Sequence, residues 1–310
     1  DGKCDALKLE IVKFISKSHI KTKNIIVGNG SSEILELVAK AFLNNNSEAL
    51  FSQHSFIVYK LVSNFMNAKV KESKLITKAG RSYMSSDLVD MKSKITSKTK
   101  VIFLPNPANP TGVLISYDAI DKFISTLSKK IIIVIDEAYI EYACMRGHKS
   151  CLDLLKKYNN IIITRSFSKI YALAGVRIGY GLASEGLISK LNNKRQPFNV
   201  NQVAQQMAIK SLADKKFLTK SLKSYELCRE FLSEQLDKLD VSYIESYANF
   251  ITINFGNASK SIFDELLKSG IILRPLDNYD LPNYLRLTIG TMDECKLFIT
   301  ALKRILSKNQ

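Results

Sequence analysis

The sequence IIITRSFSKIYALAGVRIGYG, residues 161–181, is the most informative segment of the chain. Its first four residues form a continuous apolar run, which indicates a strand buried on both faces. Ser166, Ser168 and Lys169 follow at once, and Arg177 comes eight residues after the lysine. A lysine at a strand end can attack a carbonyl carbon and form a Schiff base. The hydroxyls and the guanidinium suit a phosphate.

Three other apolar runs have the same character: NIIVG at residues 24–28, VIFL at residues 101–104 and IIIVI at residues 131–135. Unbroken apolar strands are typical of a parallel sheet that helices cover on both faces. Helical patterns lie between the runs, among them SEILELVAKAF after Ser31 and YDAIDKFISTLSKK after Ser116. This alternation predicts an α/β fold with a doubly wound, mostly parallel sheet.

The C-terminal part of the chain has a different pattern. An amphipathic stretch over residues 203–239 predicts one long helix. The strand patterns VSYIE, FITINF, IILRP and YLRLTIG follow, with a helical pattern SIFDELLKSG and a last helix from Asp293. We therefore expect a smaller α+β unit, with the boundary near Pro197. The predicted domains are residues 1–200, which carry the large sheet, and residues 201–310.

Composition restricts the classes of function. The 310 residues are 46% hydrophobic and 24% charged, which is ordinary for a globular protein. The net charge of +16 suggests nucleic-acid binding, but the lysines are dispersed and form no long block of like charge. We therefore expect no nucleic-acid partner. A positive field would also attract small anionic ligands.

Membrane, secretion and metal signals are also missing from the sequence. No apolar run reaches the length of a transmembrane helix, and the first residues, DGKCDALKLE, do not resemble a signal peptide. No CxxC pair occurs, and three histidines are too few for a His-rich metal site. We expect no membrane partner, no metal, a cytoplasmic location and reduced thiols. The five cysteines are Cys4, Cys144, Cys151, Cys228 and Cys295.

Ligands of open α/β sheets bind beyond the carboxyl ends of the strands, so the residues after each apolar run are candidates. After the first run, Gly28 and Gly30 allow a tight turn, and Ser31 or Ser32 can cap the next helix. The N–H groups of a helix N-terminus suit a phosphate. Most such turns only begin a helix, so this feature alone identifies no ligand.

Polar residues also follow the second and third runs. The loop PNPANPTG presents Asn106 and Asn109, although a purely structural turn would have the same composition. The segment DEAYIEY begins with Asp136, and Tyr139 lies three residues later. A carboxylate at the end of a buried strand is costly unless it meets a positive partner, which here is a ligand or a distant side chain. The alternative is an aspartate that caps the next element.

Pyridoxal 5′-phosphate has one group for each of these strand ends: an aldehyde, a ring nitrogen, a phenolic oxygen and a phosphate. Lys169 can take the aldehyde, and Asp136 can pair with the protonated ring nitrogen. Asn109 and Tyr139 can bond the phenolic oxygen. The serines, Arg177 and a helix N-terminus can bind the phosphate. Four weak signals in a compatible order therefore predict a site for this cofactor.

The chain resembles the fold-type I pyridoxal-phosphate aminotransferases in seven motifs: GNGSSE, NPANPTG, DEAYIEY, RSFSKIYALAGVRIGYG, ANF, ILRP and LRLTIGT. Within that group it is most similar to the histidinol-phosphate aminotransferases. The resemblance implies transamination between L-histidinol phosphate and 2-oxoglutarate, which gives imidazole acetol phosphate and glutamate in histidine biosynthesis. It also implies a homodimer whose active sites are shared between the subunits.

The resemblance further implies roles for single residues. The implied catalytic residues are Lys169, Asp136 and Tyr139, with Lys169 moving the proton between the substrate Cα and the cofactor C4′. Phe56 falls where the family stacks an aromatic ring, often a tyrosine, on the cofactor. The implied cofactor contacts are Ser31, Ser32, Phe56, Asn109, Asp136, Tyr139, Ser166, Ser168, Lys169 and Arg177.

Two arginines match substrate-facing positions of the family. Arg286 in LRLTIG matches the arginine that binds the substrate carboxylate in carboxylate-handling relatives, and Arg274 in ILRP matches a second one. Either arginine would instead form a surface or interdomain salt bridge if this implication is wrong. Arg286 lies within an apolar pattern, where an unpaired charge would be costly.

The family has an N-terminal arm before the matched region, with a tyrosine that reaches the cofactor phosphate of the neighbouring subunit. We expect that arm to be absent from the sequence that begins at Asp1. Three other classes of protein remain as alternatives for this chain. They are a broader aromatic or aspartate-type aminotransferase, a threonine-phosphate decarboxylase, and a non-catalytic regulatory domain that binds pyridoxal phosphate.

Overall fold

The structure is a computed structural model, and it describes residues 2–78 and 83–308. The strands of the large sheet are β1 (Ile25–Gly28), β2 (Glu48–Ser52), β3 (Lys69–Ser73), β6 (Thr99–Pro105), β7 (Ile132–Asp136), β8 (Ile161–Ser166) and β9 (Gly179–Ala183). A hairpin is formed by β4 (Leu75–Lys78) and β5 (Tyr83–Ser86). The small sheet consists of β10 (Tyr243–Ile244), β11 (Phe250–Asn254), β12 (Arg274–Pro275) and β13 (Tyr284–Thr288).

The helices alternate with these strands. They are α1 (Asp5–Ile15), α2 (Ser31–Phe42), α3 (Val58–Phe65), α4 (Leu88–Ser93), α5 (Tyr117–Ser125), α6 (Ile140–Met145), α7 (Glu185–Asn192), α8 (Gln202–Ala213), α9 (Lys215–Lys238), α10 (Ser259–Lys268) and α11 (Met292–Lys308). None of the helices within the described ranges is both long and apolar enough to cross a membrane.

The large sheet has the strand order β1-β9-β8-β7-β6-β2-β3. Its strands run parallel except for β9, which is antiparallel to both of its neighbours. One apolar core lies between the sheet and α2, α3 and α7. The other core includes residues of α1, α5 and α8 on the opposite face. The predicted doubly wound, mostly parallel sheet is therefore confirmed.

Glycine allows β9 to lie against the start of α2. A Cβ on Gly179 would meet the backbone nitrogen of Ser31 at 2.4 Å, and one on Gly181 would meet Cγ2 of Ile34 at 2.9 Å. Only a residue without a side chain permits this approach. The first turn of α2 is thereby held beside the end of β8, where Lys169 follows.

The small unit is an antiparallel sheet of order β10-β11-β13-β12. Its core combines the inward residues of β11 and β13 with apolar residues of α10, α11 and the second half of α9, starting at Cys228. The four strand patterns and the last two helical patterns predicted for this part of the chain are present as β10 to β13, α10 and α11.

Several sequence predictions need correction. The single helix over residues 203–239 is two helices, because the Asp214 side chain accepts from the backbone N–H of Phe217 and caps a new helix. Helix α5 ends at Ser125 rather than near Lys130, since the Thr126 N–H bonds the carbonyls of Phe123 and Ile124. Strands β2, β3 and β9 and the hairpin had no prediction, because their residues lack a long continuous apolar run.

The division into domains at residues 200 and 201 remains a prediction. Ala204, Ala208 and Leu212 of α8 pack into the core of the large sheet. The small unit's own core begins only at Cys228 of α9. These contacts favour a boundary inside α9 rather than before α8.

Candidate active site

One cavity of about 240 Å³ lies beyond the carboxyl ends of β6, β7 and β8. It is bordered by the first turn of α2, the loops after β6 and β7 and the segment after β8. The structure brings all ten predicted cofactor contacts together around it: Ser31, Ser32, Phe56, Asn109, Asp136, Tyr139, Ser166, Ser168, Lys169 and Arg177.

Lys169 lines this cavity. Its Nζ is 5.1 Å from the ring centroid of Tyr139. Burial lowers the pKa of Lys169, and the positive charges of Arg286 and Arg177 lower it further against the opposing effect of Asp136. A larger fraction of the amine is therefore neutral than for an exposed lysine, and a neutral amine is the nucleophilic form.

Asp136 is the last residue of β7, and its side chain is buried. Oδ2 accepts from the hydroxyl of Tyr59 at 2.8 Å, and Oδ1 accepts from the hydroxyl of Thr164 at 2.9 Å. Within residues 2–78 and 83–308 no salt bridge joins it to a cationic side chain. Burial raises the pKa of Asp136, while the hydrogen bonds from Tyr59 and Thr164 oppose that rise.

A buried ion pair between Glu137 and Arg165 lies beside the Asp136 carboxylate. Arg165 Nη2 lies 2.8 Å from Oε2 of Glu137, and Glu137 also accepts from the Ser150 hydroxyl and the Cys151 N–H. Glu137 follows Asp136 in the chain, and Arg165 precedes Ser166. The pair therefore ties together the ends of β7 and β8.

The opposite end of the cavity is rich in hydroxyl and N–H groups. The N-cap of α2 is Gly30, with no side-chain cap, so the prediction that Ser31 or Ser32 caps the helix is wrong. Gly30 has φ 79°, and a Cβ there would meet Nη2 of Arg177 at 2.4 Å. Without that Cβ, the guanidinium can lie beside the helix N-terminus, and both serines face the cavity.

Arg177 and the two later serines complete this end. Nη1 of Arg177 donates to the Ala174 carbonyl at 3.0 Å and to the Ser168 hydroxyl at 3.4 Å. The Ser168 N–H donates to the hydroxyl oxygen of Ser166 at 3.0 Å. A guanidinium, three or four hydroxyls and a helix N-terminus form a donor set suited to a phosphate.

The two asparagines of the loop after β6 have different environments. Asn106 bonds the backbone of Ile115 through both side-chain groups, at 2.7 and 3.1 Å, so it stabilises the loop. Asn109 lines the cavity and accepts a hydrogen bond from Nη1 of Arg286. Tyr139 is buried edge-on against Phe250, and burial raises its pKa, so its phenol stays a hydrogen-bond donor.

The two predicted substrate arginines lie opposite each other on β12 and β13. Neither arginine is among the residues that line the cavity, but Arg286 bonds Asn109, which is, and its guanidinium carbon is 4.9 Å from the ring centroid of Phe250. Its Nε is buried and has no partner among the described residues. Arg274 is exposed on the neighbouring strand and is not part of the cavity lining.

Sequence reasoning missed Tyr59 and Thr164, which hold the Asp136 carboxylate. In the sequence, Thr164 stands only as the last residue of an apolar run. Tyr59 comes three residues after Phe56, a spacing that would put both side chains on one face of a helix. Nothing in the sequence indicates that Tyr59 lies beside β7. Pro105, Pro107, Ala138 and Ala174 also line the cavity without having been predicted.

Comparison with known proteins gives the family. The model of aminotransferase class I and II matches residues 3–302. Histidinol-phosphate aminotransferase 1 of Idiomarina loihiensis is 38% identical over 288 residues, which is 93% of this chain and 77% of that protein. The crystal structure of the histidinol-phosphate aminotransferase from Clostridium acetobutylicum matches with a TM-score of 0.89 and 27% identity, over 99% of this chain and 90% of that one.

A second solved structure shares the fold. The histidinol-phosphate aminotransferase from Sinorhizobium meliloti, in complex with pyridoxal-5′-phosphate, matches with a TM-score of 0.90 and 22% identity, over 100% of this chain and 83% of that one. The prediction of a fold-type I aminotransferase fold is confirmed by these matches. The chain belongs to the class I and II aminotransferase family and, within it, to the histidinol-phosphate aminotransferases.

Proposed function

We propose that the chain catalyses pyridoxal-phosphate-dependent transamination between L-histidinol phosphate and 2-oxoglutarate, giving imidazole acetol phosphate and glutamate in histidine biosynthesis. The observation that carries the proposal is the cavity itself, which is lined by Lys169 together with a buried carboxylate and a cluster of phosphate-type donors. The relatives with 36–39% identity over most of the chain are histidinol-phosphate aminotransferases, which supports this choice of substrate.

The residues present fit pyridoxal phosphate. The absence of a Cβ at Gly30 lets the Arg177 guanidinium lie beside the N-terminus of α2, where it and four serines that line the cavity can hold the phosphate. Asp136 at the other end can hold the ring nitrogen, and Phe56 can cover a ring face. When bound, the cofactor supplies an electron sink for the substrate Cα.

The chain's own residues handle the proton. Lys169 Nζ is largely desolvated and has a lowered pKa, so it can take a proton and give it back without water competing. The negative charge of Asp136 can keep the ring nitrogen of the cofactor protonated. Tyr139 remains protonated because burial raises its pKa, and with Asn109 it can donate to an oxygen anion.

Substrate binding is assigned to Arg286 with Arg274. Histidinol phosphate carries a phosphate and no carboxylate, whereas glutamate carries two carboxylates. A guanidinium fork pairs with either anion, so one pocket can accept both amines. Arg286 already bonds Asn109, which lines the cavity. Arg274 would have to turn from the exposed face of β12 to join it.

We also assign a homodimer and a cytoplasmic location. Phe198, Val203 and Met207 are 80%, 65% and 39% exposed, and the last two lie one turn apart on α8. A group of exposed apolar side chains is typical of an interface between subunits. All five cysteines are unpaired, which agrees with a reducing compartment.

The test is a comparison of amine substrates. The purified protein, supplied with pyridoxal phosphate and 2-oxoglutarate, should form glutamate with the highest kcat/KM when L-histidinol phosphate is the donor. L-aspartate and L-phenylalanine test the broader aminotransferases, and release of carbon dioxide from O-phospho-L-threonine tests the decarboxylase. A higher kcat/KM for any of these three substrates would contradict the proposed substrate.

A further inference from the structure

Tyr59 links helix α3 to the carboxylate at the end of β7. Its hydroxyl donates to Oδ2 of Asp136 at 2.8 Å, across 77 residues of chain. Tyr59 has no exposed surface, and Asp136 is 6% exposed. A hydrogen bond to a buried carboxylate is strong, because little water competes for either group.

The ring of Tyr59 cannot easily reorient. It stacks on Phe103 with centroids 4.9 Å apart and an interplanar angle of 7°. It also meets Phe56 edge-on at 5.8 Å and Phe51 at 6.0 Å. Three aromatic contacts therefore fix the direction of the phenol. One of them is to Phe56, the residue assigned to cover the cofactor ring.

The hydrogen bond has a fixed direction. Burial and the nearby negative charge of Asp136 hold the pKa of Tyr59 well above its usual range, so the phenol is always the donor. Thr164 donates to the other carboxylate oxygen at 2.9 Å from β8. Both oxygens of Asp136 thus receive a hydrogen bond from a hydroxyl that packing holds in place.

We propose that Tyr59 is a positioning residue for the transamination: with Thr164 it orients the Asp136 carboxylate and favours its charged form. This inference rests on the proposed function, in which the negative charge of Asp136 acts on the ring nitrogen of the cofactor. Tyr59 contacts both Asp136 and Phe56. It therefore connects the residue assigned to the cofactor ring nitrogen with the residue assigned to a face of the same ring. Loss of the phenol should act on turnover more than on substrate binding.

The test uses variants that keep shape. Tyr59→Phe and Thr164→Val each remove one hydroxyl and leave the packing volume nearly unchanged. Tyr225→Phe is the matched control, because it removes another buried phenol, which donates to the Ala248 carbonyl at 3.0 Å and not to Asp136. Far-UV circular dichroism and urea unfolding check that each variant is folded.

Two readouts separate positioning from a general structural role. The first is the titration of Asp136 in the apoprotein, followed by NMR of aspartate labelled with ¹³C at Cγ and assigned with Asp136→Asn. Tyr59→Phe and Thr164→Val should move this titration to higher pH, because the charged form loses a donor. Tyr225→Phe should leave it unchanged.

The second readout is the steady-state kinetics of the loaded enzyme. Tyr59→Phe should lower kcat roughly 10- to 100-fold, the effect of one hydrogen bond to a charged group, with KM for histidinol phosphate changed by less than about threefold. An unchanged Asp136 titration together with wild-type kcat in a folded Tyr59→Phe variant would overturn the inference. If wild-type protein forms no glutamate from histidinol phosphate, the proposed function fails instead, and the apoprotein titration still tests the contact.

Discussion

Arg286 on β13 donates a hydrogen bond to the side-chain oxygen of Asn109 in the loop after β6, although 177 residues separate them in the chain. The contact joins the small sheet to the rim of the cavity in the large sheet. Nε of Arg286 is buried and has no partner in the described part of the chain. The contact through Nη1 therefore fixes the side chain of Arg286 beside a residue that lines the cavity.

Lys169 should carry the cofactor. Borohydride reduction of the loaded protein, followed by peptide mass mapping, should place a pyridoxyl group on Lys169, because its amine lines the cavity and burial lowers its pKa. Lys169→Ala should still bind the cofactor through the phosphate donors but lose transamination. Lys220→Ala, outside this cavity, is the control and should behave like wild type. A label on any other lysine would show the assignment to be wrong.

Asp136→Asn should lower the catalytic rate more than cofactor affinity. The change removes a charge at nearly constant shape, and loss of one preorganised electrostatic contact lowers kcat about 100- to 1,000-fold. Steady-state kinetics and equilibrium dialysis of the cofactor measure the two effects separately. Asp121→Asn, on the protein surface beside Lys157, is the control. Wild-type turnover in Asp136→Asn would exclude the ring-nitrogen role.

Arg286→Ala should reduce kcat/KM for both histidinol phosphate and glutamate. Losing one charge-assisted contact costs on the order of 2–4 kcal/mol, a fall of roughly 30- to 1,000-fold. Arg274→Ala should have a smaller effect, because Arg274 is exposed, whereas Arg286 bonds the cavity residue Asn109. Both half-reactions should be measured for each variant. If neither variant loses efficiency with either amine, the anion pocket lies elsewhere.

Arg165→Leu should destabilise the fold strongly. It leaves the fully buried Glu137 carboxylate without its cation, and breaking a buried ion pair in this way costs about 3–5 kcal/mol. Urea unfolding measures the loss. The double variant Arg165→Leu with Glu137→Met should recover part of it, because no buried charge remains. A double variant less stable than the single one would contradict this explanation.

The dimer prediction can be tested through α8. Sedimentation velocity of the wild-type protein should show a dimer. Val203→Glu places a charge within the exposed apolar group and should shift the protein toward monomer, whereas Lys210→Glu on the same helix serves as the control for added negative charge. A wild-type protein that is active and entirely monomeric would contradict the homodimer.

The sequence alone determined strands β1, β6, β7 and β8 of the large sheet and the chemistry at their ends. Apolar runs such as residues 131–135 are local patterns, and burial on both faces of a strand is a local requirement, so their strand structure was predictable. The polar residue after each run also had to lie at the carboxyl edge of the sheet, because parallel strands end there together. Lys169 and Asp136 could therefore be assigned to one site.

Tertiary structure decided the contacts that join distant segments. The bond from Tyr59 to Asp136, the approach of Arg286 to Asn109 and the exposure of Arg274 all depend on how helices and the small sheet pack, which no local pattern records. The cap of α2 also depends on packing: Gly30 takes the position predicted for a serine because the Arg177 side chain occupies the space where a Cβ would be. Sequence periodicity specifies which face of an element is buried, and only the packed chain specifies which residue lies opposite it.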